Sequence, residues 1–232
     1  MNKLVLFALL LFCCSAVAQR TVDVDKLEGS ALAFFSTAGG VPVLSAKFVR
    51  LVEGTPYFTD QWLKGKVLIG RSEYRNLILR INILETSLEF RDIKGEAMVC
   101  SMPVEQVVLN DSLTGAQYSF AHSSFLPENP DLKRLAWLQL LNAGQAGLYK
   151  LSKKQIHEDR PYGSAITEQR ISNLNSYYLL FNKQWTRIKK TSDVAEVLSS
   201  KKQHLLDYIK KNHLNDKEEK DMIELIIYYN TL

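Results

Sequence analysis

The chain has 232 residues, 46% of them hydrophobic and 23% charged, with 29 basic side chains against 25 acidic ones for a formal net charge of +4. Those proportions are ordinary for a globular chain able to bury a sizeable core. The positive excess is too small to argue for nucleic-acid or membrane-surface binding, and the length allows one large or two small domains.

The N-terminus runs from Lys3 through the apolar stretch LVLFALLLFCC to SAVAQ, with small residues at Ala16 and Ala18. A positive start, a short apolar run and an A-x-A pattern make a secretory signal peptide. The run is shorter than the roughly 20 residues that span a bilayer. Residues 1–18 are expected to be removed, leaving an exported chain, periplasmic or extracellular, with no transmembrane segment. Two alternatives are weaker: an uncleaved anchor, and acylation at Cys13 or Cys14, since neither Phe12 nor Cys13 is the small residue a lipoprotein signal needs before its cysteine. Only Cys100 lies beyond this leader, so no internal disulfide is expected.

Residues 19–40 hold one apolar patch, ALAFF, between Gly29 and Gly39-Gly40, and read either as a first strand or as a mobile arm. From Val41 to about Lys189 the pattern is strand-like. EGTPYFTDQWLKG, residues 53–65, reads as a corner: Gly54-Thr55-Pro56 turns the chain, Thr59 or Asp60 caps a single helical turn, and Gly65 ends it in a left-handed conformation. LILRINIL puts Leu77, Leu79, Ile81 and Ile83 on one face and Ile78, Arg80 and Asn82 on the other. With SLEFRD it makes a hairpin turning at LETS, and DIKGEAMVCS makes the next, with Lys94-Gly95 at its tip. VEQVVLND, AQYSFAH, LAWLQLLNAGQAGLYKLSKK and SYYLLFNKQWTRIKK continue the strands, the last turning at Asn182-Lys183. Close turns and few helical stretches point to antiparallel sheet.

The period changes near Thr191. TSDVAEVLSS begins with cap residues, SSKKQHLLDYIKKN stops at Asn212, and Asn215 with Glu218 reads as a capping-box variant. Met222, Leu225, Ile226 and Tyr229 then follow helical spacing. The expected organisation is α+β: a hairpin-rich, mostly antiparallel body over 19–190, and a small helical unit over 191–232 whose apolar stripe packs on the sheet or on a partner.

The phrases GTPYFTDQWLKG, YRNLILRINILETSLEF, MPVEQVVL, YGSAITE and LLDYIKKNHLNDKEEKDMIELIIYYNTL, in that order, resemble a family of uncharacterised exported proteins of Bacteroidetes-type bacteria. The likeness covers about residues 45–232. It implies an envelope location and brings no catalytic motif and no site residue with it.

Tyr57 and Trp62, with Asp60 between them, have the makeup of a site that stacks on a sugar or peptide and fixes a hydroxyl or amine. The competing reading, that these rings cover a sheet end, is favoured by the apolar area that large aromatics bury. Met98, Cys100 and Met102 alternate on one strand face as soft donors suited to Cu(I). Same-face neighbours start about 7 Å apart, however, and no histidine lies nearby in sequence. Ser199 and Lys202 match S-x-x-K without its partner motifs. His122, His157, His204 and His213 are scattered. Glu85, Glu89, Asp92 and Glu96 line hairpin edges, where an acid pair of the glycosidase kind could form. Between Lys189 and Asp221, eight lysines face seven acids, the mark of a solvated helix face.

No catalytic residue, metal or cofactor is assigned from the sequence. The expected function is an exported, non-catalytic binding or interaction module for an envelope protein or polymer. A hydrolase of an envelope polymer and a small-ligand carrier remain as alternatives.

Overall fold

The computed structural model describes residues 20–23, 34–35, 37–43, 49–132 and 134–232. The signal peptide expected at 1–18 and much of the segment 19–40 lie outside them. The fold is α+β, a mostly antiparallel sheet with a small C-terminal helical unit.

The strands are β1 (Arg20–Asp23), β2 (Gly40–Pro42), β3 (Val49–Glu53), β4 (Leu63–Ile69), β5 (Ser72–Asn82), β6 (Ser87–Arg91), β7 (Ala97–Cys100), β8 (Gln106–Asn110), β9 (Gln117–His122), β10 (Trp137–Asn142), β11 (Ala146–Asp159), β12 (Thr167–Phe181) and β13 (Gln184–Ile188). They join one sheet in the order β13-β12-β11-β10-β9-β8-β4-β5-β6-β7-β2. Nearly every step is a hairpin. The exceptions are β4 beside β8, the edge strand β2, and two short parallel pairings, β1 on β5 and β3 on β12.

The sheet curls. Leu88 and Phe90 of β6 share one buried cluster with Phe120 of β9, although β5, β4 and β8 lie between them in the strand order. A flat sheet would hold them about 19 Å apart at the usual strand spacing. Phe34 closes this core, fully buried, edge-on to Phe90 and tilted against Tyr74. Phe34-Phe35 and Thr37-Ala38 are helical, so the apolar patch of the N-terminal segment is neither a strand nor free of the body where it is described. Its aromatic content explains why: two rings fill a space that a strand edge would leave open.

A second core lies under the helices α1 (Thr191–Val197), α2 (Lys202–Asn212) and α3 (Glu219–Tyr229). Met222, Leu225, Ile226 and Tyr229 are all buried there, with Leu148, Leu179, Ile188 and Val194. The apolar stripe thus packs against the sheet and the neighbouring helices.

Helix capping differs from the sequence reading. The cap of α1 sits at Lys190, with the Asp193 carboxylate accepting the Lys189 and Lys190 backbone N–H groups at 2.8 and 3.2 Å. Thr191 is drawn inward, its hydroxyl donating to Asp216 at 2.6 Å. Helix α3 starts at Glu219 rather than near Asn215, because Asn215 spends its backbone N–H on Asp221 at 2.6 Å, which holds the preceding loop in place. Gly65 does not end a helical turn either. It lies inside β4 at a bulge, where a Cβ would run into the Val108 carbonyl of β8. The corner before it contains no helical turn.

Candidate functional site

The corner at residues 54–62 is stitched to the end of β5. Gly54 has φ +78°, and a Cβ there would collide with the Ile171 carbonyl, so the turn requires glycine. The Thr55 hydroxyl donates to Asp60 at 2.5 Å and accepts the Tyr57 N–H at 3.1 Å. Phe58 N donates to Ile81 O at 2.9 Å, and Ile83 N to Pro56 O at 3.0 Å. These bonds drive the Phe58 ring edge-on into Tyr118 and Phe120, both at 4.9 Å.

Tyr57 and Trp62 are half-buried, and the structure brings them together on one cation. The Arg80 guanidinium lies 3.6 Å from the Tyr57 ring centre and 4.4 Å from that of Trp62, with Arg91 4.5 Å from Trp62. Arg80 donates to one oxygen of Glu89 at 2.7 Å through Nη2 and at 3.2 Å through Nε. Glu89 is 1% exposed. The Tyr57 hydroxyl hydrogen-bonds the same carboxylate, and burial, then the Glu89 charge, raises its pKa. Both rings therefore already hold a guanidinium.

Asp60 is exposed and does not join that stack. Its charge acts on Lys154, whose pKa burial lowers and Asp60 partly restores. Lys154 lines a cleft of about 460 Å³ between the β5–β6 turn, residues 131–132 and 134–136, and β11. Ile83, Leu132 and Leu135 supply apolar wall. Among the described residues, Arg134, Lys153 and Lys154 supply three cations against one acid, Asp131. A smaller hollow of about 100 Å³ shares Ile83, Ser152 and Lys154 with it and adds Phe58, Asn173 and Asn175. The β11–β12 register explains the grouping: Ser152 sits opposite Asn175 and Lys154 opposite Asn173, so amides and ammonium share one face. The Asn175 carboxamide oxygen accepts from Ser152 and from Asn173, both at 2.9 Å.

The remaining candidates separate. Glu89 is held by Arg80, and Asp92 accepts the Lys94 and Glu96 backbone N–H groups at the hairpin tip, both at 2.8 Å. Lys202 pairs with Glu196 at 2.6 Å on the surface. Met98 and Cys100 pack against the main core, and Cys100 also lines a cavity of about 260 Å³ with Met102 and His122. Among the described residues, no three His, Cys, Asp or Glu side chains gather as a metal-binding group, and no helix is long and apolar enough to cross a membrane.

Sequence reasoning missed Arg80 as the occupant of the aromatic pair and missed the basic cleft. Alternation along LILRINIL placed Arg80 on the polar face, the one usable signal. Nothing local marks Arg134 and Lys154 as neighbours, since β10 and the turn into β11 must fold between them. Comparison with protein families, curated proteins and solved structures finds no match for this chain.

Proposed function

We propose that this protein is an exported binding module whose cleft holds an anionic carbohydrate segment of an envelope polymer. The export signal at 1–18 and the resemblance to exported Bacteroidetes-type proteins belong to this proposal. The observation that carries it is the cleft itself: about 460 Å³, apolar on one wall, with three cations against one acid among the described residues. Such a mix suits a ligand with both a carbon face and negative charge. Arg134 and Lys154 would pair with a sugar carboxylate, Ser152 and the asparagines with hydroxyls, and Phe58 and Ile83 with the ring face.

The hydrolase alternative draws less from the same geometry, since the cleft lining carries one carboxylate and retaining or inverting glycosidases use two. The experiment is calorimetric titration with uronic-acid oligosaccharides and their neutral counterparts. Binding to the acidic set only, weakened about tenfold or more by Lys154→Gln or Arg134→Gln, supports the proposal. Equal binding of neutral sugars, or indifference to both substitutions, overturns it.

A further inference from the structure

The hollow of about 100 Å³ adjoins the cleft and shares Ile83, Ser152 and Lys154 with it. At about 30 Å³ per water molecule, it has room for a substituent of roughly three or four heavy atoms. Phe58 and Ile83 give it an apolar lining, and the other lining side chains are polar. Phe58 is held edge-on by Tyr118 and Phe120, both at 4.9 Å. The Lys150 charge is offset by Glu219 at 2.8 Å.

The two asparagines are fixed by their own bonds. The register sets Asn175 opposite Ser152 and Asn173 opposite Lys154, so all four stand on one face of the sheet. The Asn175 carboxamide oxygen accepts from the Ser152 hydroxyl and from Asn173 Nδ2, both at 2.9 Å. Two donors fill its two lone pairs. The Asn175 amino group is thereby left as a donor, and the Asn173 oxygen as an acceptor, two positions apart along the strand. Neither makes a hydrogen bond among the described residues. A donor and an acceptor side by side, next to an apolar lining, complement an amide that carries a methyl group.

We propose, given the carbohydrate reading of the cleft, that this hollow is the subsite for an acetamido substituent, so that the ligand is an acidic polymer containing N-acetylated amino sugars. The acetamido carbonyl accepts from Asn175 Nδ2, its N–H donates to Asn173 Oδ1, and its methyl group packs on Phe58 and Ile83. The asparagines and Phe58 then meet this one substituent, a narrower role than contact with hydroxyls and ring faces in general. Other small substituents match less of the lining. A carboxylate would face the Asn173 oxygen and be repelled by it. An O-acetyl ester has no N–H for that oxygen, and a hydroxymethyl group has no methyl for Phe58. A site that bonds an N–H discriminates against the analogue lacking it. Ser152 and Lys154 line both spaces, so the acetamido group and the carboxylate sit on one sugar or on neighbouring sugars.

The test is calorimetric titration of the full chain with three oligosaccharides carrying the same number of uronic acids. The first alternates uronate with N-acetylglucosamine. The second has N-pivaloyl in place of N-acetyl, which keeps the amide and adds three carbons. The third is an oligogalacturonide, which has no amide. The N-acetyl set is expected to bind about tenfold or more tightly than either other set. Asn173→Ala and Asn175→Ala should each bring the ratio of N-acetyl to oligogalacturonide affinity to within about twofold, with melting temperatures near the parent's. Equal binding of the N-acetyl and N-pivaloyl sets, or a preference that survives Asn175→Ala, overturns the acetamido subsite; oligogalacturonide binding in the same titrations leaves the carbohydrate cleft standing. If no acidic set binds, the cleft reading fails and the subsite falls with it.

Discussion

Arg80→Ala tests the reading of the aromatic corner most directly. The Arg80 side chain is 14% exposed and that of Glu89 2%, so solvent screens the pair little. Removing one partner of a buried ion pair costs about 3–5 kcal/mol, because the other charge stays buried. The contacts with Tyr57 and Trp62 add roughly 0.5–1 kcal/mol each where rings are partly exposed. These contributions overlap, so about 4 kcal/mol is expected in all. For a chain of this size, 1 kcal/mol shifts the melting temperature by about 2–4 °C, which gives a fall of about 10 °C. Urea unfolding followed by tryptophan fluorescence measures the free energy, and calorimetry the midpoint. Arg80→Met with Glu89→Leu removes both charges and should recover most of the loss, since apolar replacements of a whole buried pair are often neutral. A loss below about 1 kcal/mol in Arg80→Ala would show that Tyr57 and Trp62 do not depend on this cation, and the internal stack would fail as an account of the corner.

Three further outcomes follow from the packing. The Tyr177 hydroxyl donates to Glu219 at 2.9 Å, beside Lys150 at 2.8 Å on the same oxygen, and burial pushes its pKa up to about 12. The unfolded chain gives up that proton near the ordinary tyrosine value of 10.0, so stability should fall as pH rises from there toward about 12. Tyr177→Phe removes that part of the slope and the latest-ionising tyrosine in an ultraviolet titration. Lys154 has the opposite sign. Its pKa is lowered in the folded state, so the unfolded chain binds more protons in the window just below the ordinary lysine value, and stability rises with pH there. Lys154→Gln should flatten that rise, and anion binding should weaken as pH climbs through the same window. Gly144→Ala should destabilise by at least about 1–3 kcal/mol in urea unfolding, because its Cβ would strike Asn230. Asn230 there donates to Asn142 Oδ1 at 2.9 Å and accepts from Ala146 N at 3.0 Å, pinning the end of α3.

The sequence revealed local geometry well. Asn182-Lys183 turns the β12–β13 hairpin with both residues at positive φ, as the alternation on either side requires. The faces of LILRINIL also hold, with Leu77, Leu79, Ile81 and Ile83 buried. Less legible was anything created by curvature. Gly65 looked like a helix end because its neighbours Thr59 and Asp60 are cap formers. Its actual reason is the approach of β8, more than 40 residues later, which no local pattern encodes. The same holds for the candidate sites. Asp60 was singled out with Tyr57 and Trp62 by proximity in sequence, yet the corner turns its charge toward Lys154 of β11.

The placement of β8 beside β4 carries a consequence for how the chain assembles. During synthesis, β4 through β7 emerge as successive hairpins, but β4 keeps an unpaired edge until residues 106–110 leave the ribosome. That edge is the point at which another nascent copy could pair by mistake. Closing it costs the entropy of bringing β8 back across the intervening hairpins, and the five-residue link from β7 to β8 keeps the delay short.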